Sequence, residues 1–188
     1  MNIEKLKEIF GEWPLRVGQF YKVSYDQFRK DWLDTFSEAG DTELREEDVI
    51  KDAYDTLALP VRSDDGSAGH DMYSPLDFVL DPGDEIKIPT GIKVQMLEGW
   101  YLMCVPRSGM GFKYYVRNAN TIGVIDASYY NNKDNEGHCY IKIRNEGMKR
   151  MEVHKGDRFC QAIFHIHGIT EDDNASGERS GGIGSTGR

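Results

Sequence analysis

The sequence predicts a mainly β protein, a β sandwich, jelly roll or barrel over residues 58–170. A helical N-terminal extension precedes it (1–57), and a flexible glycine-rich C-terminal arm follows (171–188). Three observations carry this. The hydrophobic period shortens from helical to alternating near Pro60. Turn signals then recur every ~8–12 residues. After Asp172 the only large apolar residue is Ile183, so the tail cannot bury a core.

In the extension, Ile3, Leu6, Ile9 and Phe10 recur at helical spacing. A second helix starts at Ser24, with Gln27 completing a capping box, and runs to about Phe36. Tyr25, Phe28, Trp32 and Phe36 share one face of it. Thr42 is the expected cap of a third helix. Glu43, Glu46 and Glu47 lie in or near its first turn, where the helix dipole favours anions, and Ile50, Ala53, Tyr54 and Leu57 form its apolar stripe. Beyond Pro60 the runs Glu85–Ile88, Gly91–Leu97, Trp100–Val105, Tyr140–Arg144 and Phe159–Ile166 read as strands. Asp81-Pro-Gly, Pro89-Thr-Gly, Glu98-Gly, Asn145-Glu-Gly and Lys155-Gly-Asp separate them as turns.

Composition narrows the function classes. The chain has 188 residues, 39% hydrophobic and 11% aromatic, enough for a core. No apolar run approaches the ~18 residues of a membrane span, and Met1–Phe10 lacks the apolar block of a signal peptide. Cys104, Cys139 and Cys160 form no CxxC pair, and their odd number makes a reducing cytoplasm the default. A net charge of −9 argues against non-specific nucleic-acid binding. The charge is uneven: residues 1–57 hold 14 acids and 8 bases, residues 58–188 hold 18 and 15.

Four segments carry candidate chemistry, each with a bland alternative. The tail Arg179-Ser-Gly-Gly-Ile-Gly-Ser-Thr-Gly-Arg brings amides, hydroxyls and guanidinium groups that suit phosphate oxygens. By composition alone it is a solvated linker, and it lacks the ending of a P-loop. Pro106-Arg-Ser-Gly-Met-Gly is a second cluster of anion donors or an ordinary strand-to-turn passage. Gly123-Val-Ile-Asp-Ala-Ser-Tyr ends an apolar strand on Asp126, a general base for water or a turn-initiating acid. Ala68-Gly-His-Asp-Met presents Asp71, otherwise a solvated turn acid or an arginine partner. The five histidines lack metal-site spacing and read as structural or surface residues, and the cysteines as small core residues.

Taken together, these segments resemble the trimeric all-β dUTPase family. Ala68–Ser74, Pro106–Gly111, Gly123–Tyr129, Gly156–Ile163 and the glycine tail resemble its five motifs, in the family's order, over about residues 59–188. The resemblance implies a jelly-roll-like trimer with sites between subunits, in which one subunit's arm closes over another's site. It implies that dUTP is hydrolysed to dUMP and pyrophosphate, with Mg²⁺ on the triphosphate. By similarity Asp126 activates the water that attacks the α-phosphorus. Tyr129 lies under the deoxyribose and excludes a 2′-hydroxyl. Asn120 lies on the uracil side, and backbone of the Gly137–Tyr140 segment, with Tyr140, reads the base. Arg107, Ser108, Gly109 and Gln161 hold phosphates. Arg179, Gly182, Ile183, Gly184, Ser185 and Thr186 belong to the closing arm, and Asp71 contacts the metal through water only.

The sequence departs from the family pattern in several places. About six residues are inserted around Asn131–Glu136, expected to form a longer hairpin at the rim of the base-reading turn. The arm is one residue shorter between Arg179 and Gly181-Gly182, Ile183 replaces the usual Phe, and Gly111 the usual Ala. A dCTP deaminase, alone or bifunctional, is the alternative within the superfamily. It needs a glutamate where Lys142 stands. An alternative of another class is a nucleotide-switched regulatory module whose N-terminal helices dock a protein partner. The plainer reading of the Tyr25–Phe36 stripe is that it packs on the β domain.

Overall fold

The period change near Pro60 marks where helices give way to strands. In the computed structural model, residues 3–11, 14–37 and 42–177 are described. Helices α1 (Ile3–Phe10), α2 (Tyr25–Thr35) and α3 (Glu47–Asp55) fall in the extension, with one strand, β1 (Gly18–Lys22), between the first two. The β domain holds β2 (Val61–Arg62), β3 (His70–Tyr73), β4 (Phe78–Leu80), β5 (Glu85–Pro89), β6 (Ile92–Met96) and β7 (Trp100–Pro106). It continues through helix α4 (Ser108–Tyr114), β8 (Val116–Asn118), β9 (Gly123–Asp126), β10 (Tyr140–Asn145), β11 (Met151–Val153) and β12 (Arg158–Ile166). The largest sheet has the order β2-β3-β12-β7-β9, all antiparallel, and a second has the order β5-β10-β8.

The extension is therefore not purely helical. Strand β1 runs antiparallel to β6, with Phe20 opposite Val94. The short Gln-Phe-Tyr-Lys run favours an extended backbone. Glycine is required at position 18, because an added Cβ would lie 2.6 Å from Phe164 Cε1 and 2.8 Å from Gln95 O. The third helix also starts later than expected. Thr42 has helical φ/ψ rather than cap geometry, Glu43–Arg45 form one 3₁₀ turn, and the extended Glu46 caps α3 instead.

The aromatic face of α2 lies inside the protein. Phe28 and Trp32 are fully buried and Phe36 is nearly so, in one hydrophobic cluster with Ile88, Ile92, Val94 and Ile141. Trp32 Nε1 donates to Leu44 O at 2.7 Å, and Tyr54 of α3 donates to Val23 O at 2.8 Å. Phe28, Trp32 and Phe36 of this stripe are therefore committed to the protein's own core, with Tyr25 half-buried at its edge. Packing, more than propensity, holds such a short helix.

Ser24 caps α2, its Oγ accepting from the Gln27 amide at 3.2 Å. The capping box does not close in the usual way. Gln27 Nε2 turns to Asp31 (2.9 Å), and Ser24 N and Oγ both donate to Glu136 (3.0 and 2.5 Å). Glu136 belongs to the Asn131–Glu136 insertion, which is a closed loop rather than a hairpin. Asn132 Oδ1 accepts from the amides of Asp134 and Asn135, and Asn132 Nδ2 donates to Tyr129 O (2.9 Å). Asn131 and Glu136 adopt positive φ, which breaks strand geometry there. The inserted loop and the N-terminal extension are thus bound to each other.

Candidate active site

One cluster forms at the Pro106 end of β7. Asp71 on β3, Gln161 on β12 and Val105 on β7 lie in register across three strands. Asp71 is buried and faces two guanidinium groups, Arg107 Nε at 3.0 Å and Arg158 Nη1 at 3.2 Å. Ser63 Oγ donates to it at 2.9 Å. The Arg107 N–H is not aimed along its contact, so Asp71 Oδ1 is buried without a hydrogen bond. Of the alternatives for Asp71, the arginine partnership is the one present. Arg107 is the N-cap of α4, and its carbonyl accepts from the amides of Met110 and Gly111. Ser108 and Gly109 are exposed in the first turn of α4, where backbone amides have no partner within the helix. Arg107, Ser108, Gly109 and Gln161 are thus neighbours beside Asp71.

A second cluster surrounds the start of β10. Asp126 ends β9, exposed, and leads into the Ala127–Tyr129 turn. Tyr129 is buried, and its hydroxyl donates to His138 O (3.1 Å) and accepts from Asn135 Nδ2 (2.7 Å). The Ala119 amide donates to Lys142 O at 2.9 Å, which brings Asn120 alongside β10. Tyr140 opens β10 opposite Pro89, which has no N–H to give. The backbone of this segment is largely committed within the protomer. The amides of Gly137, His138 and Cys139 donate to Asn135 Oδ1, Asn135 O and Ile92 O. Thr90 takes Cys139 O. Reading of a base by backbone therefore narrows toward Tyr140.

The two clusters stand apart. Asp126 is in register with Tyr101, whereas Arg107 follows the far end of β7, six residues on. At ~3.3 Å per residue that is about 20 Å.

Some residues of these clusters escaped the sequence. Arg158 lies within the fourth motif-like segment, and only the fold aims it at Asp71. Asp31 and His138 are buried and 2.6 Å apart. The one available signal was an acid adjoining the aromatic face of α2. Arg179, Gly182, Ile183, Gly184, Ser185 and Thr186 lie outside the described residues. Among the described residues, no group of three or more His, Cys, Asp or Glu could hold a metal ion, and no helix is long and apolar enough to cross a membrane. Lys142 pairs with Glu85 at 2.6 Å on the exposed side of β10.

A mainly β fold that carries anion donors at one end of a sheet and an exposed carboxylate at the other suits a protein that handles phosphate-bearing ligands. Residues 55–187 match the dUTPase family model. The deoxyuridine 5′-triphosphate nucleotidohydrolase of Lactococcus lactis is 38% identical over 133 residues, covering 70% of this chain and 89% of the relative. The crystal structure of dUTPase from Streptococcus mutans superposes with a TM-score of 0.55 at 31% identity, over 60% of this chain and 88% of that one. A point mutant of the dUTPase from phage phi11 of S. aureus, described as coordinating a structural Mg(II) ion, shares the fold at 21% identity, TM-score 0.53, over 64% and 91%. The chain belongs to the dUTPase family and is an enzyme that hydrolyses dUTP.

Proposed function

We propose that the enzyme converts dUTP to dUMP and pyrophosphate as a homotrimer in the cytoplasm, limiting uracil in DNA and supplying dUMP. The observation that supports a site shared between copies is the ~20 Å between Arg107 and Asp126. A phosphate donor and a water-activating base must both act within ~3 Å of one triphosphate. Two copies of the chain meet that need: one offers the Asp71–Arg107–Gln161 end, its neighbour the Asp126–Tyr129 end.

In this reading Asp126 orients and deprotonates the water that attacks the α-phosphorus. Tyr129, pinned by its hydroxyl, forms the floor under the deoxyribose and rejects UTP. Asn120 and Tyr140 bound the base. Arg107, Ser108, Gly109 and Gln161 bind the phosphates, where preorganised donors stabilise developing charge. Arg179, Gly182, Ile183, Gly184, Ser185 and Thr186 close over the γ end from a neighbouring arm.

Among the described residues no acid, histidine or cysteine group forms a metal cage, so Mg²⁺ would be held by substrate oxygens and water. Asp71 is already paired with Arg107 and Arg158, so in this reading it reaches the metal through water only. The ion supplies charge neutralisation on the phosphates when bound.

The test is pyrophosphate release across dUTP, dCTP, dTTP and UTP for the native enzyme and Asp126→Asn. The expected result is strong preference for dUTP and a loss of about 10²–10⁴-fold in turnover with dUTP binding retained. Near-native turnover by Asp126→Asn removes Asp126 as the base, and ammonia release from dCTP favours the deaminase reading.

A further inference from the structure

The extension and the inserted loop meet at a buried polar group outside the two clusters. His138 Nδ1 lies 2.6 Å from Asp31 Oδ2, with His138 fully buried and Asp31 6% exposed. On the other side of the ring, the Gly91 amide donates to His138 Nε2 at 2.7 Å. An amide can only donate, so Nε2 carries no hydrogen, and Nδ1–H donates to Asp31. The imidazole is therefore neutral and fixed at both nitrogens. Gly91 allows this approach because it has φ +72, and an added Cβ would run into Leu57. Gln27 Nε2 satisfies the other Asp31 oxygen at 2.9 Å, and the Tyr140 hydroxyl also faces this carboxylate.

The same histidine leads into the second cluster. Its carbonyl accepts from the Tyr129 hydroxyl, and its ring lies 4.7 Å from that of Tyr140. A second tie runs in parallel, since Glu136 joins Ser24 at the start of α2 to Lys93 (3.0 Å) beside the inserted loop. A buried polar pair is a poor source of stability, since apolar residues of similar volume do as well. What it adds is a defined direction at each end, here α2 at one end and the 138–140 segment at the other.

We propose that the N-terminal extension is a positioning element of the active site, with Asp31 acting through His138 to set the placement of Tyr129 and Tyr140 and thereby the discrimination between deoxyribose and ribose. This rests on Tyr129 being the floor under the sugar. Asp31 touches no substrate, so its removal acts on the fit of the sugar rather than on the chemical step.

The experiment uses the full chain, with KM, kcat, the dUTP-over-UTP preference and thermal stability measured together. Asp31→Leu is expected to raise KM for dUTP and lower the dUTP-over-UTP preference by about tenfold each, the scale of a sub-ångström misplacement, with kcat within about twofold. Asp31→Asn, which can still accept from Nδ1–H, should recover most of both. A melting-point loss with unchanged KM and preference overturns the proposal. If Asp31→Leu does not fold, Glu136→Gln decides: about a threefold shift in the same two quantities supports the proposal, and no shift overturns it. Tyr129→Ala separates the two readings. If that variant still rejects UTP as the native enzyme does, the sugar-floor reading fails and the inference falls with it. If it admits UTP while Asp31→Leu does not, the inference alone fails.

Discussion

Two inactive variants should restore activity to each other. Arg107→Ala removes a phosphate donor, and Asp71 remains held by Arg158 and Ser63. Asp126→Asn alters an exposed carboxylate at the end of β9. Neither empties a core position, so both variants should assemble. Because the two residues lie about 20 Å apart, the proposed trimer would draw them from different protomers. Every trimer that contains both variants has one site of three in which an intact Arg107 meets an intact Asp126, whichever variant is in the majority. Turnover of the mixed trimers should therefore reach about a third of native. The assay is pyrophosphate release from co-expressed, differently tagged chains purified through both tags, with each variant alone as baseline. Turnover no greater than the two baselines would refute the shared site. It would mean that Arg107 and Asp126 serve the same protomer.

Three further outcomes are expected. Trp32→Ala, which empties a fully buried position and removes the bond to Leu44 O, should destabilise the protein by about 3–5 kcal/mol in denaturant melts; a loss under about 1 kcal/mol would contradict the shared core. Stability should fall on acidification. Burial, against the pull of Asp31, holds the pKa of His138 below its ordinary 6.5, so its contribution is complete above pH 6.5 and declines as pH falls below that value. Half-buried His70 shifts the same way, mainly through burial. Burial raises the pKa of Asp31, but hydrogen bonds from His138, Gln27 and Tyr140 outweigh it and leave it below 3.8, so its part is lost only at still lower pH. His138→Gln should therefore flatten the melting temperature between about pH 7 and 5.5, and an unchanged slope refutes the assignment. Chelating Mg²⁺ should abolish turnover and move the melting temperature by less than about one degree, because no protein cage exists among the described residues; a large drop would reveal a structural ion.

The parts legible in the sequence are those whose chemistry sits in one short run. Asp126 followed by Tyr129, or Arg107 followed by Ser108 and Gly109, can be read because the strand-to-turn geometry that presents them is local. The helix at Ser24 is legible for the same reason, a cap and a periodic face within one short stretch. Strand β1 is not, because five residues give little periodicity, and its partner β6 lies more than seventy residues on. The inserted loop differs from the expected hairpin because its form depends on asparagine side chains turning back on the backbone. Asp31 and His138 are separated by 107 positions, and no local rule connects an acid on one helix to a histidine after a loop. Arg158 stands within a recognisable segment, yet its direction depends on β3 and β12 lying side by side.

The tie between α2 and the inserted loop also has a consequence in time. A chain is made from its N-terminus at about 5–20 residues per second, so Asp31 waits roughly 5–20 seconds for His138 to be synthesised. Through that interval Phe28 and Trp32 have none of β10 to cover them. α2 is also too short to hold its helix alone. The segment translated before the β domain can thus be completed only after it, when β10 and the loop before it are in place. During synthesis its aromatic face is exposed to chaperones and to other nascent chains, although in the finished enzyme it is among the best-covered surfaces.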